Sequence, residues 1–172
     1  MTELVGQLIN LLAAILLMLS FAMISQRRIL SLIHLFTAQG ATLVAATLLV
    51  GYATQQPHLY ISAGITLLLK VIVIPLLLHR VITRLDVRWD VETLINIPMT
   101  MIIGIALVIF AFNLALPISK LSVSLARGTL GIALACVLLS FMMMITRSKA
   151  VPQVIGFLSM ENGLFFLSLI HI

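Results

Sequence analysis

The stretch Val151-Pro152-Gln153-Val154-Ile155-Gly156-Phe157-Leu158-Ser159-Met160-Glu161-Asn162-Gly163-Leu164-Phe165-Phe166 is an apolar run with one carboxylate in its middle. As a helix rising about 1.5 Å per residue, it carries Glu161 roughly 15 Å from Val151. A hydrocarbon core is about 30 Å thick, so Glu161 falls near the midplane of a membrane. A charge at that depth costs several kcal/mol and marks a functional site by default. Only one other formal charge lies so deep, Lys70.

The composition requires such a solvent. The chain of 172 residues is 62% hydrophobic and 9% charged, and its mean hydropathy is +1.26. The apolar share lies well above that of soluble domains and the charged share well below it. The apolar runs match a bilayer in length and lack the alternation of barrel strands, so we expect an all-α, polytopic transmembrane protein. The first run follows Thr2-Glu3 instead of a basic segment and is too long for a signal peptide. The net charge of +5 reads as loop-borne Lys and Arg, not as affinity for nucleic acid. The one cysteine, Cys136, can form no intrachain disulfide and cannot alone hold an iron–sulfur cluster.

Outward from this stretch, the chain divides into about six helices in one domain spanning 1–172, at about 4–24, 29–52, 58–82, 98–116, 127–146 and 151–172. Arg27, Arg28, Arg80, Arg84, Arg88, Arg147 and Lys149 fall on one side, Lys120 and Arg127 on the other. That excess puts the first set in the cytoplasm and the N-terminus outside. Residues 83–96 alternate Arg84, Asp86, Arg88, Asp90 and Glu92 around Trp89. They suit a short interfacial helix, or else a docking surface for a cytoplasmic partner.

A weak parallel repeat relates 1–82 to 127–172. Ser20-Phe21-Ala22-Met23-Ile24 recurs as Ser140-Phe141-Met142-Met143-Met144-Ile145, and Gln39 then falls where Glu161 stands. The second unit is incomplete, lacking a partner for the helix of Lys70. The last residues, Leu167-Ser168-Leu169-Ile170-His171-Ile172, are what the bases CTGTCTCTTATACACATC encode. Those bases form the end of a common transposon-based library adapter. We therefore expect the native sequence to leave this one at about Phe166, and His171 carries no functional weight.

Ser62, Thr66 and Lys70 stand four apart on one helical stripe. Pro75 can neither donate to the Val71 carbonyl nor fit beside it, so a kink is expected next to Lys70. A lysine on a polar stripe beside broken backbone is what a water-lined half-channel needs; snorkelling is the simpler alternative. Asn162 and Gly163 adjoin Glu161, while Gly156, Ser159 and Gly163 share a face suited to close helix packing. Burial disfavours the charged form of either Lys70 or Glu161, whereas contact between them would favour it. A proton relay and a fixed ion pair both remain open. His34, one to two turns into the second helix, is a further relay candidate or a packing residue. No metal-ligand spacing, phosphate loop or nucleophile–base pair is present.

The words at 153–163 and 61–76, with the glycine-x-x-x-methionine-glutamate-asparagine-glycine and lysine-x-x-x-x-proline patterns on Gly156 to Gly163 and Lys70 to Pro75, resemble the hydrogenase-4 component E family. The end of the chain is also similar to subunit K of complex I. The resemblance implies a multi-pass subunit in a prokaryotic inner membrane, part of a formate hydrogenlyase-type or related complex. It implies a proton path through Glu161 and Lys70. It also implies antiporter-like membrane partners and a peripheral arm that holds a nickel–iron centre and iron–sulfur clusters, with no cofactor in this chain. That family has a further helix with an acidic residue, which this sequence does not include. The expected function is thus coupling of proton movement to electron transfer in partner subunits. The alternatives are a purely structural anchoring subunit and a component of a cation/proton antiporter.

Overall fold

A computed structural model describes residues 2–84, 91, 93–119 and 126–170. Among these residues the protein is all-helical, and six helices are long and apolar enough to cross a membrane. They are α1 (Thr2–Ser25), α2 (Ile29–Thr54), α3 (Pro57–Arg84), α4 (Ile97–Ser119), α5 (Ala126–Thr146) and α6 (Ala150–Leu169). The turns follow local chemistry. Gln55 ends α2 in the left-handed conformation at φ 56°, and Pro57 opens α3, where its fixed φ suits the first turn and no amide is needed.

The expected helices are present with shifted ends. Pro117, expected in the connection after the fourth helix, lies inside α4, which runs on to Ser119. The expected kink at Pro75 takes another form. Leu67–Val73, in the middle of α3, is wound as a π-helix, and the Ile74 amide donates to the Leu69 carbonyl five residues back. Pro75 has no amide and crowds the carbonyl four residues before it, and the wider turn carries the helix past that defect. Lys70 sits at the centre of this segment.

The expected interfacial helix at 83–96 falls mostly outside the described residues. The described part pairs instead with the turns of the bundle. The Val91 amide donates to the Arg27 carbonyl at 2.7 Å, and the Leu94 amide donates to the Thr146 carbonyl at 2.9 Å. Thr93 and Arg147 form an isolated antiparallel bridge. These contacts gather the Arg27, Arg147 and Lys149 turns at one end of the molecule, the basic end.

Lipid is as apolar as leucine, so helices in a membrane associate through close packing and internal hydrogen bonds. The packing of α6 on α5 is of this kind. A Cβ added at Gly156 would meet Met144 backbone nitrogen at 3.2 Å and the Ser140 carbonyl at 3.3 Å. One added at Gly163 would meet Val137 Cγ2 at 2.9 Å and its backbone nitrogen at 3.1 Å. The small-residue face read from the sequence thus seats α6 against the α5 backbone.

Two apolar clusters fill the bundle. One, toward the basic end, includes Met23, Phe36, Ile82, Leu139 and Ile155. The other, toward the opposite end, includes Ile9, Leu43, Leu59, Ala133 and Phe166. Along the helices, a layer of buried polar residues separates them, Ser20, Gln39, Lys70, Ser159 and Asn162, with Ser140 bordering it at the edge of the first cluster. Polar side chains of four helices, Ser20, Gln39, Lys70 and Asn162, meet in this layer.

Candidate functional site

Lys70 reaches the polar layer from the π segment of α3. Its approach to α2 is close: a Cβ on Gly40 would lie 3.4 Å from Lys70 Cβ and 3.6 Å from the Lys70 carbonyl oxygen. Nζ donates to Asn162 Oδ1 at 2.7 Å and lies 3.2 Å from Glu161 Oε1. It also stands 5.9 Å from the centroid of the Phe165 ring, within cation–π range. Lys70 is therefore buried among an amide, a carboxylate and an aromatic face, and it does not snorkel.

Glu161 and Asn162 are adjacent on α6 and split the ammonium between them. A helix turns about 100° per residue, so Asn162 points inward while Glu161 stays 53% exposed. The inward branch continues. Asn162 Nδ2 donates to Gln39 Oε1 at 3.1 Å, Gln39 Nε2 donates to Ser20 Oγ at 2.9 Å, and Ser20 Oγ donates to the Leu16 carbonyl at 2.9 Å. Each group has one donor and one acceptor role fixed by its neighbour. The ammonium sets the sense of the whole row, from α3 through α6 and α2 to α1.

The outward branch borders a cavity of about 400 Å³ whose polar lining is His58, Ser62, Thr66, Lys70 and Glu161. The expected polar stripe of α3 therefore faces a real space, with Pro75 just past it. His34 does not join the site. It is exposed on α2 and does not line this cavity. His58, at the far end of the stripe, lines the cavity instead.

Three buried polar residues, two in the layer and one at the basic end, were not legible as site residues. Ser20 and Gln39 stood out only as members of the repeat, though a polar side chain inside an apolar run was itself a signal. The hydrogen bonds also reset the repeat. Ser20 pairs with Gln39, and Ser140 pairs with Ser159 at 2.7 Å, with the same separation of 19 residues. By this register Gln39 corresponds to Ser159, two residues short of Glu161. The third residue, Arg147, lies at the basic end and is 1% exposed. Its Nη2 donates to the carbonyls of Ile24 at 2.7 Å and Met23 at 3.3 Å, closing the last turn of α1. Among the described residues, Nε and Nη1 are buried with no hydrogen-bond partner. Burial pushes the guanidinium down from its ordinary value to about 10.

No group of three or more His, Cys, Asp or Glu able to hold a metal ion occurs among the described residues.

The chain is 30% identical over 159 residues to the uncharacterized protein Rv0085 of Mycobacterium tuberculosis, covering 91% of this chain and 72% of that one. The chain belongs to that protein's family. No family model matches the chain, and no solved structure matches it.

Proposed function

We propose that the protein is an integral membrane subunit of a complex I-like, membrane-bound hydrogenase or related oxidoreductase, in which Glu161 is a protonatable station and Lys70 sets its proton affinity. Electron transfer takes place in partner subunits, and this chain contributes to the proton path coupled to it. The observation that carries the reading is the contact between Lys70 and a half-exposed Glu161 in the polar layer between two apolar clusters. Ion pairs inside membranes are expensive and are retained where charge moves. When such a carboxylate gains a proton, the ammonium still keeps its hydrogen bond to Asn162 Oδ1. The resemblance of the two helices to hydrogenase-4 component E supports the same reading, with antiporter-like subunits, a nickel–iron centre and iron–sulfur clusters as the expected surroundings in a prokaryotic inner membrane.

The test is Glu161→Gln in the assembled complex, followed in sealed vesicles as protons moved per electron transferred. We expect that ratio to fall about tenfold or more, the scale of a lost acid–base group. An unchanged ratio would contradict the reading. The one-way row from Lys70 to the Leu16 carbonyl favours a second reading, a purely structural subunit. Amides hold their protons, so the row can fix the ammonium but cannot pass a proton onward. In that case Glu161→Gln changes assembly and stability only.

A further inference from the structure

We propose that the cavity beside α3 is a water-filled access route to the Lys70–Glu161 pair, entered at His58 from the outer face of the membrane. The proposal rests on the protonatable-pair reading above, and adds to it the side from which the pair is reached.

Four observations support it. First, His58, Ser62 and Thr66 line the cavity and Lys70 and Glu161 close it. His58, Ser62, Thr66 and Lys70 follow one another at intervals of four, about 6 Å apart along a helix. Waters held between apolar walls need polar partners, and this row supplies one at each turn. Second, the space is a groove open on one side, walled by Ile61, Ile65, Leu69 and Phe165, and its volume of about 400 Å³ has room for roughly ten waters. Third, the exposed Glu161 carboxylate forms part of the wall, and hydrocarbon around it would leave it unsolvated. Fourth, the polar lining runs one way only. Beyond the π segment, the buried positions of α3 are Leu78 and Ile82, which belong to the apolar cluster at the basic end.

The basic end holds the turns of Arg27, Arg147 and Lys149, and so faces the cytoplasm by the excess of positive charge. His58 follows the Gln55-Gln56 turn at the opposite end. The route therefore opens outward, and water and protons reach the pair from that side.

Cysteine accessibility tests this directly, because the chain has one native cysteine, Cys136, which is buried. In a Cys136→Ala background, Ser62→Cys in the cavity is compared with Leu68→Cys, exposed on α3 but outside the cavity lining. Ile65→Cys, a second lining position, serves if Ser62→Cys does not assemble. A membrane-impermeant, cationic thiol reagent is added to intact cells and to inverted vesicles. Thiol modification needs the thiolate and hence water. We expect the lining cysteine to react about tenfold faster or more than Leu68→Cys from the outer side, and not from the inner side. Equal rates at the two positions, as in a lipid-filled groove, or reaction from the inner side alone, would overturn the route. The Glu161→Gln experiment reads separately: labelling from outside with unchanged proton transfer keeps the route and removes the proton role.

Discussion

Lys70 donates to Asn162 at 2.7 Å and lies 3.2 Å from the neighbouring Glu161, so one ammonium is shared between an inward amide and an outward carboxylate. The inward partner belongs to a fully built row of hydrogen bonds. The outward partner faces a cavity. This division separates what holds the lysine from what can change charge.

Removing the lysine should therefore affect the two branches differently. Lys70→Met leaves Asn162 Oδ1 without its donor, which costs about 1–3 kcal/mol, while Glu161 keeps its exposure. We expect the complex to assemble with a thermal midpoint a few degrees lower and with proton transfer per electron lost as in Glu161→Gln. Retained proton transfer would show that Glu161 works without its cation.

The inward row should behave as a coupled unit. Gln39→Leu and Asn162→Leu each break two of its hydrogen bonds. Because Asn162 is the link between Lys70 and Gln39, the double variant should lose less stability than the sum of the singles. Coupling of about 0.5–2 kcal/mol is expected, in the range for polar contacts inside membranes. Unfolding in detergent with a denaturant series measures it, and additive losses would separate the two residues.

Two glycines make a matched pair. Gly163→Ala drives a methyl onto Val137 and should cost about 1–3 kcal/mol through the displacement of α6 from α5. Gly64→Ala, on an open face of α3 where an added Cβ meets nothing within 4 Å, should be neutral or stabilise by about 0.5–1 kcal/mol. Thermal unfolding of the two variants side by side checks the sign of each.

Arg147→Met keeps much of the side-chain bulk and removes the donors to Met23 and Ile24, so α1 should fray at the basic end with a loss of about 1–3 kcal/mol. The pH sign follows from the lowering to about 10 from the ordinary, higher value of an arginine. The unfolded chain binds the extra proton only between these values, so stability rises with pH in that window alone. Between pH 6 and 9 the guanidinium is charged in both states. The stability difference between Arg147→Met and the parent should be constant there, and a slope would point to another titrating group.

The six helices and the depth of Lys70 and Glu161 were legible because length, hydropathy and rise per residue fix them without knowledge of neighbours. The Gly156–Gly163 face was legible for a related reason, since only small residues admit so close an approach. The contacts were not. Periodicity gives the face of α6 that carries Asn162, but not that α2 offers Gln39 at the same height, nor that Ser20 on α1 completes the row. Pro75 announced a backbone defect, yet not that the defect takes the form of a π segment over Leu67–Val73. Arg147 reads as an ordinary turn cation until the carbonyls of α1 are placed beside it. His34 and His58 look alike in sequence, and only the position of the cavity separates them.

The central claim is that Glu161 exchanges a proton, and infrared difference spectroscopy of the complex in membranes tests it most directly. The chain has five acidic residues, and among the membrane-spanning helices Glu161 alone lies at the depth of the polar layer. The account predicts a protonated-carboxyl band that appears and disappears during turnover and that is absent from Glu161→Gln. A Glu161 that remains a carboxylate throughout, with identical difference spectra for parent and variant, would contradict it.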